Sequence, residues 1–319
     1  MKTIAISLLA TLVGCGSSSG GPSNTGDDDN PMPDSNPTTG DDGHVPAGPV
    51  TIFTIVLENH DYEEVVDNAN APYINSLIAM GGLATDYNDT IHPSLGNYLY
   101  MISGDNQYPG GFDVDPTFSL WFPADKQNLG SQLEAASIKW RSYQESMGTP
   151  CKLSGSGEYA PKHDPFLYFT DMQDGPNELC ARTNVDYTEF AADLATNEYR
   201  YMWITPNLIN DGHDPSGDPV MGIKDSDAWM ATEVPKILAS EAYQNGGVLF
   251  ITWDEAEGRG HDPDRIPMIV VSPRIKTAGM TVSTTMNHGA YLATVEELLG
   301  LAKLPTVAQS PTLMVMLDP

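Results

Sequence analysis

The stretch Ile91-His92-Pro93-Ser94-Leu95-Gly96-Asn97-Tyr98 sets a hydroxyl three residues before an amide, directly after His-Pro. Pro93 fixes one backbone angle and Gly96 frees another. The apolar run Tyr98–Ile102 then reads as the first turns of a helix. A serine at such a loop-to-helix junction can present its hydroxyl beside backbone N–H groups that favour an anion. It can equally be an N-cap with no further role. The choice between these readings rests on other polar residues. Glu58-Asn59 follows the apolar run 50–57, and Asp254-Glu255 follows the apolar run 247–253. Carboxylates brought together repel unless a cation lies between them. Either pair alone reads as a loop cap or a surface ion pair, whereas the two together favour a cation site. Glu58, Asn59, Asp254 and Glu255 are therefore candidate metal ligands, with Ser94 as a further oxygen ligand. Such a set suits Mg²⁺, Ca²⁺ or Mn²⁺, and Zn²⁺ and iron also accept it. Beside a divalent cation a serine hydroxyl loses its proton more easily and becomes a usable nucleophile near neutral pH.

Two histidines join these candidates. His163 lies in Lys162-His163-Asp164-Pro165-Phe166 and His213 in Asp211-Gly212-His213-Asp214. A lone loop histidine is usually a surface group. In a dense polar motif it can hydrogen-bond a phosphoryl oxygen or protonate a leaving group.

The elements that must position these residues are legible from periodicity. Residues 50–57 form a near-continuous β-branched and aromatic run, the pattern of a central strand buried on both faces. Residues 247–253 and 266–273 repeat it, and 137–143 and 199–205 read as further strands. Helical spacing covers 72–80, 129–136, 226–242 and 291–301, and 151–185 reads as an irregular insert. Strands alternating with helices predict a single α/β domain over 50–319, with a largely parallel central sheet and helices on both faces. Polar residues that follow its strands would gather at one edge, the usual ligand position of an open α/β sheet.

The chain of 319 residues carries a net charge of −28. A surface so negative repels phosphate backbones, so nucleic acid is not an expected partner. A small phosphorylated substrate is compatible with it if a cation sits in the pocket. Residues 1–15 read as an export signal, with Lys2 followed by a short apolar run. Leu12-Val13-Gly14-Cys15 resembles a bacterial lipobox, which implies lipidation of Cys15 and makes that lipid the expected membrane contact. Ser17, two residues on, favours the outer over the inner membrane, so the expected location is the outer membrane or periplasm, or the cell surface. Residues 16–49 are rich in Gly, Ser, Pro, Asn, Thr and Asp and read as a disordered acidic tether. Cys151 and Cys180 would share an oxidising compartment after export. A disulfide is then a reasonable expectation, with free buried thiols the alternative.

Five motifs in order resemble the bacterial phosphoesterase family. They are Leu57-Glu58-Asn59-His60, His92-Pro93-Ser94-Leu95-Gly96-Asn97-Tyr98, Lys162-His163-Asp164-Pro165-Phe166, Pro206-Asn207 with Asp211-Gly212-His213-Asp214, and Thr252-Trp253-Asp254-Glu255. That family includes acid phosphatases and phosphatidylcholine-type phospholipases C, within the alkaline phosphatase superfamily. The resemblance spans roughly residues 50–301 and implies an alkaline-phosphatase-like fold. It further implies that Glu58, Asn59, Asp254, Glu255 and Ser94 hold a divalent metal, and that Ser94 attacks phosphorus. Asn97 would donate to a phosphoryl oxygen, and His163 and His213 would hold the phosphate. His92 and His288 fall in motif-like positions without a definite task, and Asp211 would support His213 or belong to a second metal. The family usually has proline where this chain has Gly96, a change expected to loosen the turn that fixes Asn97.

The expected function is therefore a surface-tethered, metal-dependent phosphoesterase of acid-phosphatase type, working through a phosphoserine on a phosphorylated small molecule or a phospholipid. A phosphodiesterase or phospholipase C is the alternative within the class. A non-catalytic surface binding protein on the same fold is the alternative outside it. A sulfatase fits less well, because residues 91–98 lack a Pro/Arg-rich modification motif around a Cys or Ser.

Overall fold

Ile-Phe-Thr-Ile-Val-Leu at β1 (Ile52–Leu57) is buried at every position. So is Val-Leu-Phe-Ile-Thr-Trp at β7 (Val248–Trp253). Runs with no polar alternation have no face to offer water, and they lie beside each other at the centre of the sheet. The computed structural model describes residues 50–107, 113–116, 127–173, 178–213, 218–257 and 264–319. The expected signal segment 1–15 with Cys15, the tether 16–49 and Asp214 lie outside the described residues.

The other strands are β2 (Gly82–Ala84), β3 (Tyr87–Asn88), β4 (Trp140–Gln144), β5 (Asn184–Asp186), β6 (Tyr201–Thr205), β8 (Met268–Val271), β9 (Met280–Val282) and β10 (Met286–Asn287). Eight of the ten form one sheet in the order β5-β4-β6-β1-β7-β8-β2-β9, while β10 and β3 pair separately. The five strands from β5 to β7 are mutually parallel. β8 runs against both its neighbours, and β2 pairs with β9 in parallel. The sheet is thus largely parallel, as the sequence predicts, within a single α/β domain. The helix Pro72–Met80 packs against Pro219–Leu238 and β8, and the helix Leu95–Ser103 packs against His288–Leu298.

Register sets the geometry at the carboxyl edge of the sheet. Leu57 lies opposite Trp253, and the Asp254 N–H donates to the Leu57 carbonyl at 2.9 Å. Glu58 and Asp254 therefore leave the sheet side by side. The Glu58 N–H donates to the Asp211 carbonyl at 2.7 Å, which draws in the loop after β6.

Some element boundaries differ from the sequence reading. The segment expected to be an irregular insert contains the helix Leu179–Thr183 and the edge strand β5. The helix expected over 226–242 starts at Pro219, where Asp218 caps it, and ends at Leu238. The strand expected from 137 begins at Trp140, because Ser137 takes a left-handed conformation that closes the preceding helix. Residues 268–271 do form a strand, but an antiparallel one. Cys151 and Cys180 are disulfide-bonded, and the Cys151 N–H also donates to the Asn184 carbonyl in β5.

Candidate active site

Asn59, just past the end of β1, adopts a left-handed backbone with φ 42°. Asparagine tolerates that region better than most residues, and strain of this kind concentrates at functional sites. The turn points the Asn59 amide at the end of β7. Its backbone N–H donates to Asp254 Oδ1 at 3.2 Å, and its Nδ2 donates to Glu255 Oε1 at 3.3 Å. Among the described residues neither Asn59 Oδ1 nor Asp254 Oδ2, both buried, has a hydrogen-bond partner.

Ser94 precedes the helix Leu95–Ser103, yet its side chain makes no capping bond to that helix. The N-cap alternative is therefore not what the hydroxyl does. Ser94 is only 4 % exposed, and its Oγ lies 3.4 Å from Glu58 Oε2 and 3.2 Å from Glu255 Oε1. The fold thus brings Glu58, Asn59, Ser94, Asp254 and Glu255 together from three separate parts of the chain.

Asn97 is more committed than the sequence suggests. Its Oδ1 accepts from Thr90 N at 2.9 Å, Thr90 Oγ1 at 2.8 Å and Ile91 N at 3.3 Å. Its Nδ2 donates to the Ile91 carbonyl and also faces Glu255 Oε2 at 3.5 Å. Asn97 therefore holds the strand-to-helix loop in place and retains one N–H toward the centre. Gly96 does not loosen this turn. It lies buried in the first turn of the helix, and a Cβ there would sit 2.5 Å from Ile91 Cγ2. Its N–H also donates to the Pro93 carbonyl at 3.3 Å, a bond that proline lacks the donor to make.

The histidines divide by environment. His163 is buried, stacks on Tyr98 with 5.2 Å between ring centroids, and brings Nε2 to 3.4 Å from Glu58 Oε1. Burial, with Lys162 and His213 nearby, holds its ring well below the usual histidine range, so it is neutral. His213 is exposed, and its backbone N–H donates to Asp211 Oδ1 at 2.9 Å. Asp211 Oδ2 has no hydrogen-bond partner among the described residues, and His163 Nδ1 lies 4.0 Å from it. His92 places Nδ1 3.0 Å from Glu255 Oε2 and Nε2 3.3 Å from both Asp89 and Asp264. His288 is fully buried between the Asp254 carbonyl at 2.7 Å and the Tyr87 hydroxyl at 3.2 Å, so it buttresses the loop after β7. Sequence reasoning misses two residues of the centre. Tyr98 donates its hydroxyl to Glu58 Oε1, although its place at the start of an apolar run gives no sign of that. Asp89 reaches His92 from just before the serine motif.

Four buried carboxylates, Glu58, Asp211, Asp254 and Glu255, share this centre. Burial raises Glu58 well above the usual carboxylate range, and repulsion from Asp254 and Asp211 adds to it. Asp211 is raised for the same first reason. Burial pushes Asp254 up to about 7, opposed by the Ser94 hydroxyl and the Asn59 N–H. Glu255 is pushed up to about 9 by burial and by Asp254. Partnerless oxygens on Asn59 and Asp254, beside carboxylates and a hydroxyl, form a hard oxygen donor set that fits a divalent cation. A second grouping, Asp89, His92 and Asp264, brings one ligand atom from each residue to within 4.8 Å of the others and can also take a cation.

The open, largely parallel sheet with its polar centre at the carboxyl ends of β1 and β7 has structural neighbours in the alkaline phosphatase superfamily. A superfamily member from Vibrio parahaemolyticus superposes with a TM-score of 0.60, covering 85% of this chain and 71% of that one at 13% identity. Residues 57–302 match the model of the Phosphoesterase family, and the chain belongs to that family. It is a hydrolase acting on phosphate esters, which sets aside the non-catalytic alternative. The phosphatidylinositol-3-phosphatase of Mycobacterium tuberculosis is 28% identical over 265 residues, covering 82% of this chain and 80% of the relative. The phosphate-repressible acid phosphatase of Penicillium chrysogenum is also 28% identical, but the match covers only 59% of that longer protein.

Proposed function

We propose that the chain is a divalent-metal-dependent phosphomonoesterase of acid-phosphatase type that works through a phosphoserine at Ser94. One observation carries this reading. The Ser94 hydroxyl lies within 3.4 Å of both Glu58 and Glu255, at a sheet edge where Asn59 and Asp254 present partnerless oxygens. Glu58, Asn59, Asp254, Glu255 and Ser94 would hold the cation, which supplies Lewis acidity that eases loss of the serine proton and offsets phosphoryl charge.

In the proposed reaction Ser94 Oγ attacks phosphorus in line and expels the alcohol. The helix that begins at Leu95 fixes the direction of that attack. Asn97 anchors the loop ahead of the nucleophile and turns its remaining N–H toward the phosphoryl oxygens. His163, held neutral, offers a hydrogen bond inside the pocket. His213, the exposed member of the pair, is assigned to the leaving oxygen. Water then displaces phosphate from Ser94 by a second in-line attack.

The phosphomonoester preference draws support from the names of both relatives. The mycobacterial name adds a phosphorylated lipid headgroup to the substrates worth testing. We further propose export with a lipid tether at Cys15. Among the described residues no helix is long and apolar enough to cross a membrane. The test compares an aryl phosphomonoester, a bis-aryl phosphodiester and phosphatidylinositol 3-phosphate, before and after chelation. Cleavage of the monoesters, lost on chelation and restored by a divalent ion, is the expected result. A higher kcat/KM on the diester would replace the monoesterase reading with the phospholipase-C-like one. Activity indifferent to chelation would remove the metal.

A further inference from the structure

Lys162 and Asp113 form an ion pair that the proposed reaction does not use. Neither is an ordinary surface group. The Lys162 side chain is about 28% exposed and that of Asp113 about 23%, and both act electrostatically on the centre, Lys162 on Glu58 and Asp254 and Asp113 on Glu255. Asp113 Oδ1 also accepts the Leu95 backbone N–H at 3.3 Å. That N–H belongs to the residue after the nucleophile and is one of the donors a helix start leaves without an intrahelical partner. One carboxylate thus spans a backbone donor next to Ser94 and the cation that faces the centre.

We propose that Lys162 binds a non-bridging oxygen of the substrate's phosphoryl group, and that Asp113 holds that oxygen's place in the free enzyme. The proposal rests on the phosphomonoesterase reading and extends it to a residue beyond the metal set and the nucleophile. A phosphate dianion entering among Glu58, Asp211, Asp254 and Glu255 needs positive charge, and Lys162 is the cation whose charge bears on Glu58 and Asp211. A carboxylate and a phosphoryl group both accept from an ammonium and a backbone N–H, so Asp113 is a chemical stand-in for the ligand. A dianion is the stronger acceptor and displaces it. Binding of phosphate then carries the cost of parting Asp113 from Lys162, which leaves the free enzyme competing with its own substrate.

The test measures the dissociation constant of inorganic phosphate by calorimetry on the full chain, alongside KM for an aryl phosphomonoester. Lys162→Met should weaken phosphate roughly ten- to a hundred-fold, as loss of a charge-assisted bond does, and raise KM. Lys162→Arg should recover most of the affinity. Asp113→Asn should tighten phosphate several-fold and lower KM, because the competitor is removed while its shape is kept. The double variant should resemble Lys162→Met. Unchanged phosphate affinity in Lys162→Met, or weaker affinity in Asp113→Asn, would overturn the proposal and make the pair a structural brace. Failure of the phosphomonoesterase reading is separate and would show as a wild-type protein inactive on the monoester.

Discussion

Gly96 shows how one residue can be matched to another that packs across the turn. Its missing side chain leaves room for Ile91 Cγ2, which a Cβ would meet at 2.5 Å. Gly96→Ala gains helix propensity of about 1 kcal/mol but forces that contact, which costs about 1–3 kcal/mol in a packed site. The expected outcome is a net loss of stability by chemical denaturation, with Ile91→Ala relieving part of it in the double variant. Strict additivity of the two losses would show that they do not share the contact. The same scale shows what the sequence can and cannot reveal. Glu58, Asn59, Ser94, Asp254 and Glu255 were legible because two buried strands end in them and the serine starts a helix. Tyr98 was not, because its hydroxyl turns toward Glu58 from inside an otherwise apolar helix start. Asn97 stands out in the sequence as a candidate, three residues after Ser94. Its threefold acceptance from Thr90 and Ile91 does not, since that depends on how the loop folds back.

At the scale of elements, the buried central strands declared themselves through continuous apolar runs. The short strands β2, β5 and β9 did not, since each has only three residues and too little pattern to stand out. The direction of β8 was hidden for a different reason, because a short buried strand reads the same in either orientation. The Cys151–Cys180 disulfide closes a separation of 29 residues beside β5. Replacing both cysteines by serine should lower unfolding stability by about 3 kcal/mol. An unchanged midpoint in urea would show that the edge strand does not depend on it. The turn Pro165–Tyr168 follows Asp164, which is fully buried and accepts from Ser142 Oγ at 3.1 Å. Burial pushes its carboxyl up to about 7 from the usual 3.8, against the pull of Ser142 and the Phe166 N–H. The folded state then holds a proton that the unfolded state releases, so Asp164 favours folding at acid pH. That contribution declines as pH rises from about 4 to about 7. Asp164→Asn removes the ionisation, so its stability relative to wild type should rise across this window. A constant difference would place the Asp164 carboxyl in the ordinary range.

For the whole molecule, the acidic composition and the centre pose the same requirement. A chain of net charge −28 gathers Glu58, Asp211, Asp254 and Glu255 at one sheet edge, where the proposed reaction would receive a phosphate ester. A cation that binds there must displace the protons those carboxylates otherwise hold. Its affinity should therefore rise with pH through about 7 and about 9, where Asp254 and Glu255 release theirs. Calorimetry with Mg²⁺ or Mn²⁺ in buffers of different ionisation enthalpy should register proton release. Binding with no proton exchange would point to a different ligand set, with the Asp89–His92–Asp264 group the first to examine. The proposed chemistry depends on Ser94 receiving the phosphoryl group beside such a cation. The direct measurement is mass spectrometry of the protein quenched in acid during turnover of an aryl phosphomonoester. A phosphoryl increment on the peptide containing Ser94, lost in Ser94→Ala together with turnover, is the predicted result. Turnover with that peptide unmodified, or with the phosphoryl group on another residue, would contradict it.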